Sequence, residues 1–163
     1  MSRSSVDSTY FRHVLGHFAS GITVVTSLDG DAPVGFACQS FASLSLDPPL
    51  VLFCPSNTSS SWPRIWQTGR FCVNVLAADQ QEVCQAFAAR GGDKFTDVRW
   101  SVSGNGTAIL DDVLAWVDCT IQEVHEAGDH YVVIGRVEEL HTQRQHRPLL
   151  FFRGDYAAGA FPA

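Results

Sequence analysis

From Ile22 to Leu140 the sequence is a train of short β-branched and aromatic runs, and most segments joining them are too short to carry a helix back across a sheet. Ile22–Thr26, Val34–Phe41, Leu50–Cys54 and Phe71–Leu76 come first; Leu114–Val124, His130–Leu140 and Leu149–Phe152 follow. Such runs are strand formers. A parallel pair needs a crossover of a dozen or more residues, so most pairs are expected to be antiparallel. Asp29-Gly30-Asp31, Asp47-Pro48-Pro49 and Ala127-Gly128-Asp129 supply turns. Val117, Cys119 and Ile121 alternate with Asp118, Thr120 and Gln122, the pattern of a half-buried strand. The whole suits a closed or nearly closed barrel with a few helices on its rim.

Three helices fit between the strands. Phe11, Val14, Leu15 and Phe18 fall on one face of a helix over about Thr9–Ala19, with Asp7 or Ser8 as its cap. A second runs from about Ser61 to Thr68 and stops at Gly69. A third starts at Asp79, with Glu82 three residues on as in a capping box, and ends near Gly91-Gly92.

At 163 residues the chain is expected to form a single domain, residues 1–163, with 45% apolar and 17% charged residues. Net charge is −6 and the basic residues are scattered, which argues against nucleic acid as a partner. No apolar run reaches the ~18 residues of a membrane span, and Met1–Tyr10 lacks a signal-peptide pattern. A cytoplasmic protein is expected. Five cysteines at odd count, without Cys-x-x-Cys, read as reduced core thiols. No metal site is expected, since paired ligands at short spacing are missing. His13 and His17 lie four apart, but no third ligand is near them.

Catalytic motifs of the common kinds are missing. Gly104-Asn105-Gly106 lacks the third glycine and the strand-to-helix setting of a Rossmann fingerprint. Three segments remain as candidate ligand sites. Gly35-Phe36-Ala37-Cys38-Gln39-Ser40-Phe41 offers a glycine for close backbone approach, two aromatic rings and polar groups for ring edges. Cys54-Pro55-Ser56, followed by Ser59-Ser60-Ser61-Trp62, is a hydroxyl-rich entry to a helix, fit for a phosphate or for ordinary capping. His130 follows a Gly-Asp turn, where it either orients a ligand or is simply exposed.

In order and spacing these segments resemble the flavin reductase family built on the FMN-binding split barrel, the reductase partners of two-component flavin-dependent monooxygenases. The resemblance runs from about Phe11 to Tyr156. It is carried by Phe18–Thr26, Gly35–Phe41, Ser43–Leu50, Asp93-Lys94-Phe95, Gly128-Asp129-His130 and Arg153-Gly154-Asp155-Tyr156. It implies a mainly β fold: a six-stranded antiparallel split β-barrel of Greek-key topology with short peripheral helices. It implies flavin, FMN or FAD, lying along Gly35–Phe41, with its phosphate at Ser56 and Ser59–Trp62 and neighbouring contacts from Cys54 and Pro55. Phe87, Lys94 and Phe95 would close over it, partly from a dimer mate. His130, Arg153 and Tyr156 would face the nicotinamide of NADH or NADPH, with His130 the one candidate catalytic residue. The implied partners are a second copy of the chain and a separate monooxygenase reached by diffusing reduced flavin. The likeness is greatest to reductases serving hydroxylases of phenols and steroid-derived aromatics. Alternatives on the same barrel are a flavin-binding electron carrier and an oxidase of the pyridoxamine-phosphate type, although the latter wants an Arg and Lys cluster that is missing.

Overall fold

The computed structural model describes residues 6–158 of the 163; Met1–Ser5 of the polar start lie outside them. In chain order the elements are α1 (Ser8–Leu15), β1 (Ser20–Gly21), β2 (Thr23–Asp29), β3 (Ala32–Cys38), β4 (Phe41–Leu46), β5 (Pro49–Phe53), α2 (Trp62–Thr68), β6 (Arg70–Val75), α3 (Gln81–Ala88), β7 (Trp100–Val102), β8 (Ala108–Leu110), β9 (Ala115–Ala127), β10 (His130–Thr142), β11 (Leu149–Phe152) and β12 (Asp155–Ala158).

The main sheet has seven strands in the order β3-β2-β6-β9-β10-β5-β4, every pair antiparallel. Its two edges, β3 and β4, are consecutive in sequence and joined only by Gln39 and Ser40. Laid flat, six interstrand spacings would hold those edges about 29 Å apart. The three Cα steps from Cys38 to Phe41 reach at most ~11 Å. The sheet must therefore curl until its edges meet. The edges do not pair with each other, so the barrel is split.

The split barrel is as expected, and its main sheet gains β4 as an edge strand because the Val34–Phe41 run is broken at Gln39-Ser40. The Ser40 hydroxyl takes over the local pairing there, donating to the Cys54 carbonyl at 3.0 Å and accepting from the Cys54 N–H at 3.1 Å. Phe41 then opens a strand of its own.

Alternation along β2 and β6 sorts their side chains into two apolar clusters. Val25, Phe71 and Val73 face one with Phe53, Trp62, Ile65 and Val133. Ile22, Val24, Cys72 and Leu76 face the other with Cys84, Phe87, Val113 and Leu149. Phe53 centres the first cluster, its ring 4.7 Å from Phe71 and 5.6 Å from Trp62. Burying such a ring contributes roughly 2–3 kcal/mol.

Three details depart from the sequence reading. Asp118, placed on the polar side of β9, is fully buried because the β7–β8 hairpin covers that face; Thr107 Oγ1 donates to its Oδ1 at 2.7 Å. Asp79 does not cap α3. Its carboxylate takes a two-pronged bond from Arg144 at 2.9 and 2.6 Å, and Gln80 stands at the cap instead. Helix α1 is capped by Asp7, which accepts from the Thr9 N–H at 2.7 Å, but it has no buried residue. Its apolar stripe is left open, Phe11 at 53% and Phe18 at 85% exposure.

Candidate active site

Three adjoining hollows flank β3 and α3. The first, about 410 Å³, is bounded by Phe36–Ser40, Cys54–Ser56, His130 and Tyr156, with Ile22, Cys84 and Ala88. The second, about 580 Å³, shares Phe36, Ala37, Ser56, Ser59 and Ala88 with it and adds Ser60, Ser61, Phe87 and Lys94. The third, about 310 Å³, shares Ser60, Ser61, Gly91 and Lys94 with the second and extends to Gly35, Arg64 and Phe95. Through these shared walls the three hollows adjoin along one groove-like face.

The fold puts these segments side by side for identifiable reasons. The Pro55–Asn57 stretch is stitched to the start of β10: the Tyr131 N–H donates to the Pro55 carbonyl, the Asn57 N–H donates to the Asp129 carbonyl, both at 2.9 Å, and Ser56 bridges to His130. That stitching brings His130 to the first hollow, beside Cys84 and Ala88 of α3, from which it is distant in sequence. The His130 ring is oriented by its neighbour, Nδ1 lying 2.7 Å from Asp129 Oδ1. Proximity of the imidazole holds the Asp129 carboxyl below its ordinary range.

Ser59 and Ser61 divide the work at the start of α2. Ser59 Oγ accepts from the Trp62 N–H at 3.2 Å. Ser61 caps nothing and instead donates to the Gly35 carbonyl at 3.0 Å, tying the helix entry to β3. The hydroxyls of Ser56 and Thr58 are 2.9 Å apart. The phosphate-type donors on offer are thus neutral hydroxyls. Lys94, with its ammonium donating to the Phe87 carbonyl at 3.2 Å, and Arg90 bring positive charge to the second hollow. Burial pushes the Lys94 ammonium below its ordinary value. Arg64 in the third hollow is already paired with Asp29 at 3.1 Å.

Of the candidate residues, Phe36, Ala37, Cys38, Gln39, Ser40, Cys54, Pro55, Ser56, Ser59, His130 and Tyr156 come together at the first hollow. Ser60, Ser61, Phe87, Lys94, Gly35 and Phe95 line its continuation. Three do not line the groove. Phe41 points into the barrel cluster because β4 restarts the alternation after Gln39-Ser40. Trp62 is 1% exposed, packed between Phe53 and Trp66. Arg153 stands at the β11–β12 turn with φ 50°, its guanidinium 4.5 Å over the Phe152 ring. Gly35 lines the groove, yet its missing side chain is dictated from inside: a Cβ would lie 2.9 Å from the Val25 carbonyl oxygen and 3.2 Å from Phe87.

Of the α3 wall the sequence reading holds Phe87 but not Cys84 and Ala88, although the three stand at i, i+3 and i+4 on one helical face. Arg90 just beyond the helix was passed over with the scattered cations. Among the described residues no group of three His, Cys, Asp or Glu side chains could hold a metal ion, and no helix is long and apolar enough to cross a membrane.

The groove fits an elongated ligand. One end has apolar walls (Ile22, Phe36, Ala88) with polar groups from Gln39, Ser40 and His130 at hand, which suits a flat ring with polar edges. The other has hydroxyls and the cations Arg90 and Lys94, which suits a phosphate-bearing tail.

Residues 15–160 match the family described as "Flavin reductase like domain". The chain is 52% identical over 156 residues to the reductase subunit HsaB of a flavin-dependent monooxygenase from Rhodococcus jostii, covering 96% of this chain and 80% of that protein. A crystal structure of nitrilotriacetate monooxygenase component B from Mycobacterium thermoresistibile superposes with a TM-score of 0.90 at 52% identity, covering 93% of this chain and 86% of the other. An NADH:FAD oxidoreductase from Streptomyces globisporus, SgcE6, in complex with NAD and FAD fragments, gives 0.89 at 32% identity over 97% and 98% of the two chains.

Proposed function

Because this chain belongs to the flavin reductase family and is a flavin reductase, we propose that its groove takes FMN or FAD together with NADH or NADPH and that the reduced flavin leaves for a separate monooxygenase, one hydroxylating phenol-type or steroid-derived aromatics. The observation that carries this reading is the adjacency of two hollows. An apolar ring site bounded by Phe36 and Ala37 shares walls with the hydroxyl-lined stretch at Ser56 and Ser59–Ser61.

Together the two ligands supply the redox chemistry themselves, a hydride passing from nicotinamide C4 to flavin N5. The chain's own tasks are binding, alignment and exclusion of water. Phe36 and Ala37 offer a flat wall. Ser40, already bonded to both backbone groups of Cys54, stiffens the β3–β4 junction against which the ring edge would rest. Backbone N–H groups near Gln39 are assigned to favour the charge that develops on the reduced ring, whereas the Cys54 N–H, the other donor considered, is already given to Ser40. His130, aimed by Asp129, borders the open side of the first hollow and is assigned to the nicotinamide. No proton has to be taken from carbon, so a catalytic triad is not needed.

Release of the product is favoured by a donor set in which the hydroxyls at Ser56, Thr58 and Ser59–Ser61 outnumber the cations Arg90 and Lys94. Hydroxyls hold phosphate less firmly than an arginine fork does. The open apolar stripe of α1 supports a homodimer, since a chain seldom leaves such a surface to water. Five cysteines without a disulfide among them suit a reducing compartment such as the cytoplasm.

The test is steady-state oxidation of NADH and NADPH with FMN, FAD and riboflavin, followed by the loss of nicotinamide absorbance. Catalytic turnover supports the reading. Tight flavin binding without turnover would favour an electron carrier. Placing this enzyme and a monooxygenase on opposite sides of a flavin-permeable membrane at low oxygen tests free release; hydroxylation on the far side is the expected result.

A further inference from the structure

We propose that Cys84 is a positioning residue for the hydride donor, acting by fixing the ring of Tyr156 in the wall of the first hollow. The inference rests on the functional reading above, in which Tyr156 and His130 border the nicotinamide.

Cys84 sits mid-way along α3, almost fully buried, yet borders the same hollow as Phe36, His130 and Tyr156. Its Sγ lies 3.5 Å from the Tyr156 hydroxyl, a hydrogen bond in which either group can donate. Sulfur's larger radius makes that separation ordinary for such a pair.

Tyr156 needs this contact because of where it stands. It is on β12, the edge of the small sheet β1-β11-β12, paired on one side only. Its ring meets Phe151 edge-on with centroids 5.4 Å apart, an apolar contact that leaves the hydroxyl end unfixed. The thiol supplies the missing polar anchor. It stands on a helix that is itself held: Asp79 is gripped by Arg144 at the helix start, and Gln80 accepts from the Ala77 N–H and donates to the Asp111 carbonyl. A chain of contacts thus runs from the barrel through α3 to a ring in the groove.

The chemistry of the pair matches a positioning role. Burial raises the Cys84 thiol above its ordinary value, which keeps it protonated and a poor nucleophile. The contact with Cys84 and burial push the Tyr156 phenol up to about 12. Both partners stay neutral at any working pH, so the bond neither appears nor vanishes with pH. Without it the ring takes other rotamers, and the incoming donor has to order it on binding.

The test is a double-mutant cycle with Cys84→Ala, Tyr156→Phe and the pair, each checked by thermal melting and assayed with NADH at saturating flavin. A neutral hydrogen bond predicts that each single variant raises KM for NADH about three- to tenfold with kcat changed less than about twofold. The double variant should equal either single one, and Cys84→Ser, which keeps a hydroxyl for the bond, should recover most of the loss. Additive effects in the double variant, or Cys84→Ser no better than Cys84→Ala, would overturn the proposal. If Cys84→Ala does not fold, Tyr156→Phe carries the test alone, because it keeps the ring and its packing; an unchanged KM then overturns it. Failure of the unaltered protein to oxidise NADH with any flavin would sink the functional reading instead, so the two failures are distinguishable.

Discussion

The carboxylate of Asp129 grips the imidazole of His130 from the preceding position in the chain, Oδ1 to Nδ1 at 2.7 Å, and leaves Nε2 as the ring nitrogen still available. Replacing His130 by alanine should raise KM for the nicotinamide about three- to tenfold while flavin affinity, measured by fluorescence titration, stays within about twofold. Asp129→Asn should give a smaller effect in the same direction. If kcat falls together with kcat/KM, His130 acts in the transition state; if neither parameter moves, it is an exposed turn residue.

The buried thiols should make stability fall on the alkaline side. Cys38, Cys72, Cys84 and Cys119 are all raised above the ordinary 9.0, chiefly by burial. For a group whose folded value is raised, the stabilisation is complete below the unfolded value and is lost as pH rises beyond it. Denaturant unfolding should therefore show stability falling from about pH 9 upward, by as much as ~1.4 kcal/mol per pH unit for each thiol still protonated when folded. Cys119→Ala should flatten that decline and lower stability at neutral pH by about 1–2 kcal/mol, with turnover per folded molecule nearly unchanged. A well-folded Cys119→Ala protein without activity would contradict it.

Gly135 should tolerate no side chain. A Cβ there would overlap the Phe71 ring and stand 3.1 Å from Cys119 Cβ, at the β-bulge where β10 shifts register against β9. Gly135→Ala is expected to cost about 1–3 kcal/mol through overpacking, read as a lowered midpoint in urea. Gly69→Ala has open space around it but a φ of 73°, so its cost, about 1 kcal/mol, comes from the backbone alone.

The stripe of Phe11, Val14, Leu15 and Phe18 on and after α1 should lie in the homodimer contact. Changing Phe11 and Phe18 together to glutamate is expected to shift light-scattering mass from dimer toward monomer at micromolar protein. Unaltered protein that is monomeric and fully active would refute the dimer.

The sequence shows the strands well because β-branched runs and turn dipeptides are local signals: β2, β5, β6, β9, β10 and β11 all lie where such runs stand. It hides what depends on distant partners. Asp79 reads as a helix cap until Arg144 arrives from 65 residues away. Asp118 reads as an outward residue until Thr107 folds over it. Within the candidate site, the Gly35–Ser40 segment is legible as a run, but Phe41 leaves it because a strand break resets the alternation by which its side was judged. Trp62 carries the composition of a ligand contact, yet the barrel interior claims it first. Cys84 went unnoticed for the opposite reason: a lone thiol among apolar residues looks like filler, and only the fold places it beside Tyr156.

One joint in this molecule closes the barrel and borders the groove at the same time. Gln39 and Ser40 are the two-residue link that draws opposite edges of a seven-stranded sheet together, and both face the first hollow. Lengthening that link would slacken the closure and reshape the ring site in one stroke, so variation in ligand choice has little room there. The connection from α3 to β7, with Arg90, Gly91 and Lys94 along it, carries no such double duty. Diversity among relatives of this chain should accumulate on that far bank, where an inserted or exchanged residue changes what the tail of the ligand meets and leaves the architecture untouched.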